Sequence, residues 1–131
     1  MLTSLSLKQL IHKILPCCYK NYTEDIWNVR KYADGTAICW GITPAKTYSM
    51  TAQSGYAYYT SESRNFPSDL FISPPTALAN RVQGTGSTAG YSLVTININT
   101  VTATNLNYYV QCSASAAQSL SISLFAIGKW R

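Results

Sequence analysis

Trp27-Asn28-Val29-Arg30-Lys31-Tyr32-Ala33-Asp34-Gly35-Thr36-Ala37-Ile38-Cys39-Trp40-Gly41-Ile42 decides the fold. Trp27, Val29 and Lys31 alternate with Asn28, Arg30 and Tyr32, the period of an extended strand. Asp34-Gly35 then marks a tight turn, because a hairpin of this length needs positive φ, which glycine takes without steric cost. The pattern resumes from Thr36, with Ile38, Trp40 and Ile42 on one face. Two alternating runs joined by Asp-Gly read as a β-hairpin. Trp40 is expected to fill the core with Ile38 and Ile42.

Toward the C-terminus the same period returns. The stretch 55–60 reads as a strand, 61–75 as loop, and 76–83 as a strand. Residues 84–90, rich in glycine, read as a turn. Val94, Ile96 and Ile98 face away from Thr95, Asn97 and Asn99. Leu106, Tyr108, Val110 and Cys112 keep period two, as do Leu120, Ile122, Leu124 and Ala126. Runs at this spacing with no helix between them predict an all-β sandwich or barrel. Upstream, Leu7, Leu10, Ile11, Ile14 and Leu15 fall at helical spacing opposite Lys8, His12 and Lys13. This predicts an amphipathic helix over 4–15, capped by Ser4 and stopped by Pro16. So short a helix is marginal alone and must pack on the β body or on its own copies. The expected organisation is a helical segment over 1–18, for oligomerisation or docking, and a β domain over 26–131.

The 131 residues suffice for one domain with a real core. Charged residues make up 11% of the chain, about half the usual ~25%, and Ser, Thr, Asn, Gln and Tyr fill the vacancy. A surface of hydroxyls, amides and phenols suits extracellular recognition. The net charge is +5, but the basic residues are spread from Lys8 to Arg131 and only Arg30-Lys31 are adjacent. No basic stripe marks a nucleic-acid partner. The N-terminal apolar run lacks the order of a signal peptide and is too short to span a bilayer, so no membrane insertion is expected. Cys17, Cys18, Cys39 and Cys112 match no zinc spacing. They read as free thiols, with a Cys39–Cys112 bridge possible only if their strands face each other.

The chemistry-bearing residues are sparse. His12 is the one histidine, on the helix, so a Ser/His/Asp or Cys/His arrangement would have to use it. Of five carboxylates, Asp34 belongs to the turn, and Glu62 with Asp69 is the one pair to weigh for glycoside hydrolysis. No catalytic residue, metal site or cofactor is assigned, and the chain reads as no enzyme. Aromatic side chains remain, and these stack on sugar faces and dominate contact hot spots. Tyr56, Tyr58 and Tyr59 put rings on both faces of one strand, and Tyr108-Tyr109 repeats the arrangement. Arg64 and Asn65 add hydrogen-bonding groups. The candidate ligand-binding residues are Tyr56, Tyr58, Tyr59, Arg64, Asn65 and Tyr109.

Two stretches carry a family resemblance. The segment 27–41 is similar to the opening hairpin of bacteriophage and prophage tail-fibre C-terminal receptor-binding domains, which closes in Trp-Gly. The ending Ile122-Ser123-Leu124-Phe125-Ala126-Ile127-Gly128-Lys129-Trp130-Arg131 resembles the family's last strand, and Phe66-Pro67 before Leu70-Phe71 fits its middle. The resemblance implies an antiparallel β-sandwich like the H-type lectins, here preceded by a short N-terminal α-helix. It also implies a homotrimer at a fibre tip, part of a virion, and the free thiols point to assembly in the reducing cytoplasm of the bacterial host. Such a tip contacts other tail proteins and binds bacterial cell-surface glycan. A purely structural fibre or decoration protein and a surface-polysaccharide hydrolase are the other readings.

Overall fold

The computed structural model describes residues 18–53, 57–83, 94–113 and 118–131. Every regular element among them is a strand: β1 (Cys18–Glu24), β2 (Trp27–Tyr32), β3 (Thr36–Ile42), β4 (Lys46–Tyr48), β5 (Thr51–Gln53), β6 (Ala57–Asn65), β7 (Thr76–Gln83), β8 (Val94–Val101), β9 (Asn105–Cys112) and β10 (Gln118–Lys129). The helix expected over 4–15, the turn expected over 84–90 and Tyr56 lie outside the described residues.

All pairings are antiparallel and form two sheets. The larger runs β1-β2-β3-β10-β4, with β7 also paired to β10. β10 carries β3 and then β4 along one edge and β7 along the other, because Leu120 pairs with both Lys46 and Gln83, and residues 123–127 pair with both β3 and β7. The smaller sheet runs β5-β6-β9-β8. Alternation sends Leu120, Ile122, Leu124 and Ala126 of β10 inward to meet Leu106, Tyr108 and Val110 of β9 in one buried cluster. Trp27, Val29, Ala37 and Cys39 complete it from β2 and β3. Two sheets sharing one core is the arrangement of a β-sandwich.

The hairpin forms as its sequence requires. Gly35 takes φ +91°, its N–H donates to the Tyr32 carbonyl at 3.1 Å, and Asp34 Oδ1 accepts the Thr36 N–H at 2.8 Å. Where β3 ends, Thr43 stitches the strand to β10 by donating its N–H to the Ile122 carbonyl and accepting the Ile122 N–H on Oγ1, both at 2.9 Å. Cys39 and Cys112 are buried thiols that form no disulfide. Burial pushes the Cys39 thiol up to about 12, against a weaker opposing hydrogen bond from Ala126.

Three expectations change. Ile38, Trp40 and Ile42 do not enter the core: Ala37, Cys39 and Gly41 face inward, and Trp40 and Ile42 stay 36% and 57% exposed. The inward face of β3 must be small, because the Ile26 main chain lies directly on Gly41. Residues 61–65 are not loop but the second half of β6. Their polar composition hides a strand whose inward-side charges are paired across the sheets, Glu62 with Lys46 and Arg64 with Asp25. Finally, β1 adds an edge strand that the sequence reading left unassigned.

Gly41→Ala drives a Cβ into the Ile26 carbonyl, a backbone atom that cannot swing aside. It is expected to destabilise by about 2–3 kcal/mol, on the order of 5–10 °C in melting temperature. A thermal melt within 2 °C of wild type would contradict this packing.

Candidate functional site

The outward face of the smaller sheet is set by register. Tyr59 lies opposite Gln111, Ser61 opposite Tyr109 and Ser63 opposite Asn107. On the far side of β9, Thr95 lies opposite Gln111, Asn97 opposite Tyr109 and Thr100 opposite Asn107. Directly opposed residues share a face. Ser, Thr, Asn, Gln and Tyr therefore tile this surface, and no Lys, Arg, Asp or Glu of the described residues joins them.

At its centre Tyr59 and Tyr109 meet edge to face, ring centroids 5.6 Å apart and planes at 85°. Beside them Asn97 Nδ2 donates to Gln111 Oε1 and, at 3.3 Å, to Thr95 Oγ1. Asn107 Nδ2 donates to Thr100 Oγ1 at 2.9 Å. These bonds fix the amides in place while leaving oxygens and further N–H groups for a ligand. The register shift between Ile98 and Thr100 lifts Asn99 out of the ladder, as a bulge does. Asn99 then walls a shallow cleft of about 340 Å³ with Ser61, Ser63, Asn107 and Tyr109, and with Glu62 and Tyr108, of which Glu62 is paired with Lys46.

A second cleft, of about 540 Å³, opens where the β1–β2 turn, residues 65–71 and residues 103–104 meet. Glu24, Asp25 and Asp69 line it, but two of these carboxylates are engaged. Glu24 accepts both the Ser68 N–H (2.9 Å) and the Ser68 hydroxyl (2.7 Å), and Arg64 Nη1 reaches Asp25 at 3.3 Å. The Ser68 main-chain bond, and then its hydroxyl, hold the Glu24 carboxyl below the usual range. Trp27 floors the cleft and donates its indole N–H to the Asn65 carbonyl at 2.8 Å.

Of the residues singled out from sequence, Tyr59 and Tyr109 come together. Tyr58 sits on the opposite face, register partner of buried Cys112. Arg64 turns inward to Asp25, and Asn65 lies at the far end of β6, in the larger cleft. Tyr56 lies outside the described residues. Glu62 and Asp69, weighed as a hydrolytic pair, line different clefts, and Glu62 is paired with Lys46. The sequence reading passed over Ser61, Ser63, Asn97, Asn107 and Gln111. Their signal was present as runs of hydroxyls and amides at every second position opposite apolar residues.

The class of protein these observations define is a two-sheet, all-antiparallel β domain with an uncharged, aromatic-centred face. Two solved structures share that fold. One is an N-truncated R1-type pyocin tail fibre, matched over 97% of this chain and 99% of that one with a TM-score of 0.62 at 17% identity. The other is a C-terminal piece of the P. aeruginosa R1 pyocin fibre, matched over 95% of this chain and 32% of that one with a TM-score of 0.61 at 15% identity. The likeness is one of fold. No family model and no curated protein matches the sequence.

Because the folded Glu24 carboxyl titrates below its unfolded value, its contribution to stability is present above the unfolded pKa and lost as pH falls through the folded one. Ser68→Ala keeps the main-chain N–H and removes only the hydroxyl, so it is expected to return the Glu24 titration, followed by NMR, part of the way toward the ordinary carboxylate range and to flatten the acid limb of the stability curve slightly. An unmoved Glu24 titration would remove the Ser68 hydroxyl as a contributor and leave the main-chain bond as the cause.

Proposed function

We propose that this chain is the tip domain of a bacteriophage- or pyocin-type tail fibre, a lectin-like virion protein that binds cell-surface glycan without catalysis. The observation that carries the reading is the uncharged face around Tyr59 and Tyr109. Aromatic rings offer stacking area for the C–H faces of sugars, and fixed amides and hydroxyls offer hydrogen bonds to their hydroxyls. The fold shared with pyocin tail fibres and the hairpin and C-terminal motifs support the same setting, a virion component among other tail proteins.

The opposite side of the domain supports a homotrimer. On the outer face of the larger sheet Leu78, Phe125 and Trp40 are register partners across three strands, and Ile127 and Ile38 lie opposite each other in the next row. Leu78, Ile127, Ile42 and Trp40 are 58%, 41%, 57% and 36% exposed. Isolated soluble domains rarely leave so continuous an apolar surface to water. The occupant is a second copy of this chain, in the threefold arrangement that the tail-fibre resemblance implies.

Light scattering is expected to give three chain masses, and Leu78→Glu is expected to give one with unchanged circular dichroism. On a glycan array, Tyr109→Ala should weaken binding by about tenfold or more while leaving the trimer intact. A wild-type monomer would remove the trimer, and a trimer that binds no glycan would favour a purely structural fibre component.

A further inference from the structure

Basic residues that look scattered along the chain converge at one end of the larger sheet. Lys20 and Lys31 are register partners on β1 and β2. Lys31 Nζ lies 5.0 Å and Arg131 Cζ 4.7 Å from the Trp130 ring centroid, so the two charges fall within about one Debye length (~10 Å) of each other. Lys129 reaches Thr36 Oγ1 at 3.5 Å, just beyond the hairpin turn. Asp34 is the carboxylate in this cluster. It already accepts the Thr36 N–H, and Lys129 and Arg131 lower its carboxyl further after that bond. Among the described residues Lys31, Lys129 and Arg131 stand against Asp34, a local charge of two, which a free carboxylate on Arg131 would lower to one. The ion pairs Lys46–Glu62 and Arg64–Asp25 involve none of these residues.

The cluster is built around rings. Trp130 is anchored by its indole N–H to the Tyr32 carbonyl at 2.9 Å, and Arg131 donates to the Ala33 carbonyl. Tyr19 stacks on Trp130 at 5.1 Å with planes 21° apart, yet stays 62% exposed. Stacked on a ring, a guanidinium keeps in-plane N–H groups for an oxyanion. A ring surface beside spare positive charge is what a sugar bearing an oxyanion would contact. None of these groups belongs to the uncharged face on the smaller sheet.

We propose that the Trp130 end, through Lys31, Arg131 and the open ring of Tyr19, with Lys129 adding charge from the outer face of the sheet, is a second contact site, for glycan chains whose sugars or linkers carry phosphate or carboxylate. It adds charge selectivity to a domain whose first surface reads only neutral groups.

The test is binding of the full chain to four immobilised probes, poly(glycerol phosphate), hyaluronan, neutral dextran and duplex DNA, with inorganic phosphate as free competitor. Wild type is expected to bind one or both anionic glycans, with affinity falling as salt rises. Lys31→Gln/Arg131→Gln should weaken that binding by about tenfold or more. Lys31→Arg/Arg131→Lys, which keeps the charges, should restore most of it. Ala45→Glu/Ser49→Glu lowers the net charge by the same two at exposed positions outside the cluster, and should cost much less. Equal loss in both charge-lowering variants would reduce the effect to net charge and overturn the site. So would binding that ignores salt, competition by millimolar inorganic phosphate as complete as by the chains, or tighter binding to DNA than to either glycan. Tyr109→Ala should leave this binding unchanged, so failure of the neutral-glycan reading and failure of this one can be told apart.

Discussion

The fold depends on the register of β10. This strand runs from Gln118 to Lys129 and pairs with β3 and β4 along one edge and β7 along the other, so three strands take their alignment from it. Its alternation leaves one solution. Leu120, Ile122, Leu124 and Ala126 are essentially without solvent exposure, while Ser121, Ser123, Phe125 and Ile127 point away. A slip of one residue would put two serines into the core and expose two leucines, and each neighbouring strand would have to follow. Gly128 finishes the strand where Phe71 and Pro75 pass closest, and the Ile72 N–H donates to the Lys129 carbonyl at 3.0 Å. The 66–75 segment thus crosses the end of the sheet only because that position has no side chain.

Strands with one apolar face were legible in the sequence for the same reason that β10 is decisive. In β8 and β9, Ile96 and Ile98 and Leu106, Tyr108, Val110 and Cys112 lie between residues with polar side chains, so period two admits one orientation. β3 is apolar on both faces, and there size misled. Ile38, Trp40 and Ile42 outweigh Ala37, Cys39 and Gly41, yet the smaller set is inside. Trp27 already fills the volume from β2, and the Ile26 backbone closes on Gly41. Such a choice rests on distances between segments far apart in sequence, which no local period records.

Polar strands were harder still. The second half of β6 offers Ser61, Glu62, Ser63, Arg64 and Asn65, a composition that reads as loop. It is a strand because β9 pairs with it throughout, and its inward-side charges still find partners, Glu62 on Lys46 of β4 and Arg64 on Asp25 of the β1–β2 turn. These pairs are partly exposed and so add little net stability. Their contribution is to let charged side chains occupy positions that alternation would otherwise keep apolar. The candidate glycan face was half legible on the same account. Its tyrosines stood out as residues, but the amides and hydroxyls around them became a surface only once β6, β9 and β8 were aligned.

The two outer faces and the two ends of the domain divide its surface by chemistry. Apolar side chains gather on the larger sheet, uncharged polar ones on the smaller. Four of the ten Lys and Arg residues lie toward the Trp130 end, and three of five carboxylates line the larger cleft. A monomer gains nothing in stability from this sorting. Spreading the apolar residues inward and the charges evenly would stabilise it more. The segregation becomes intelligible when each region meets different matter: another copy of the chain on the apolar sheet, uncharged sugar on the hydroxyl and amide face, and oxyanions at the cationic end. The contacts also act over different ranges. Charge at the Trp130 end would operate across a Debye length and raise the rate of encounter with the anionic chains proposed for it. On the proposed reading the Tyr59–Tyr109 face would act only at contact, where ring stacking and fixed amides can discriminate between sugars. On these two proposals, a division of capture from discrimination would account for cations grouped at the Trp130 end of a chain so poor in charge, and for their absence from the described Tyr59–Tyr109 face.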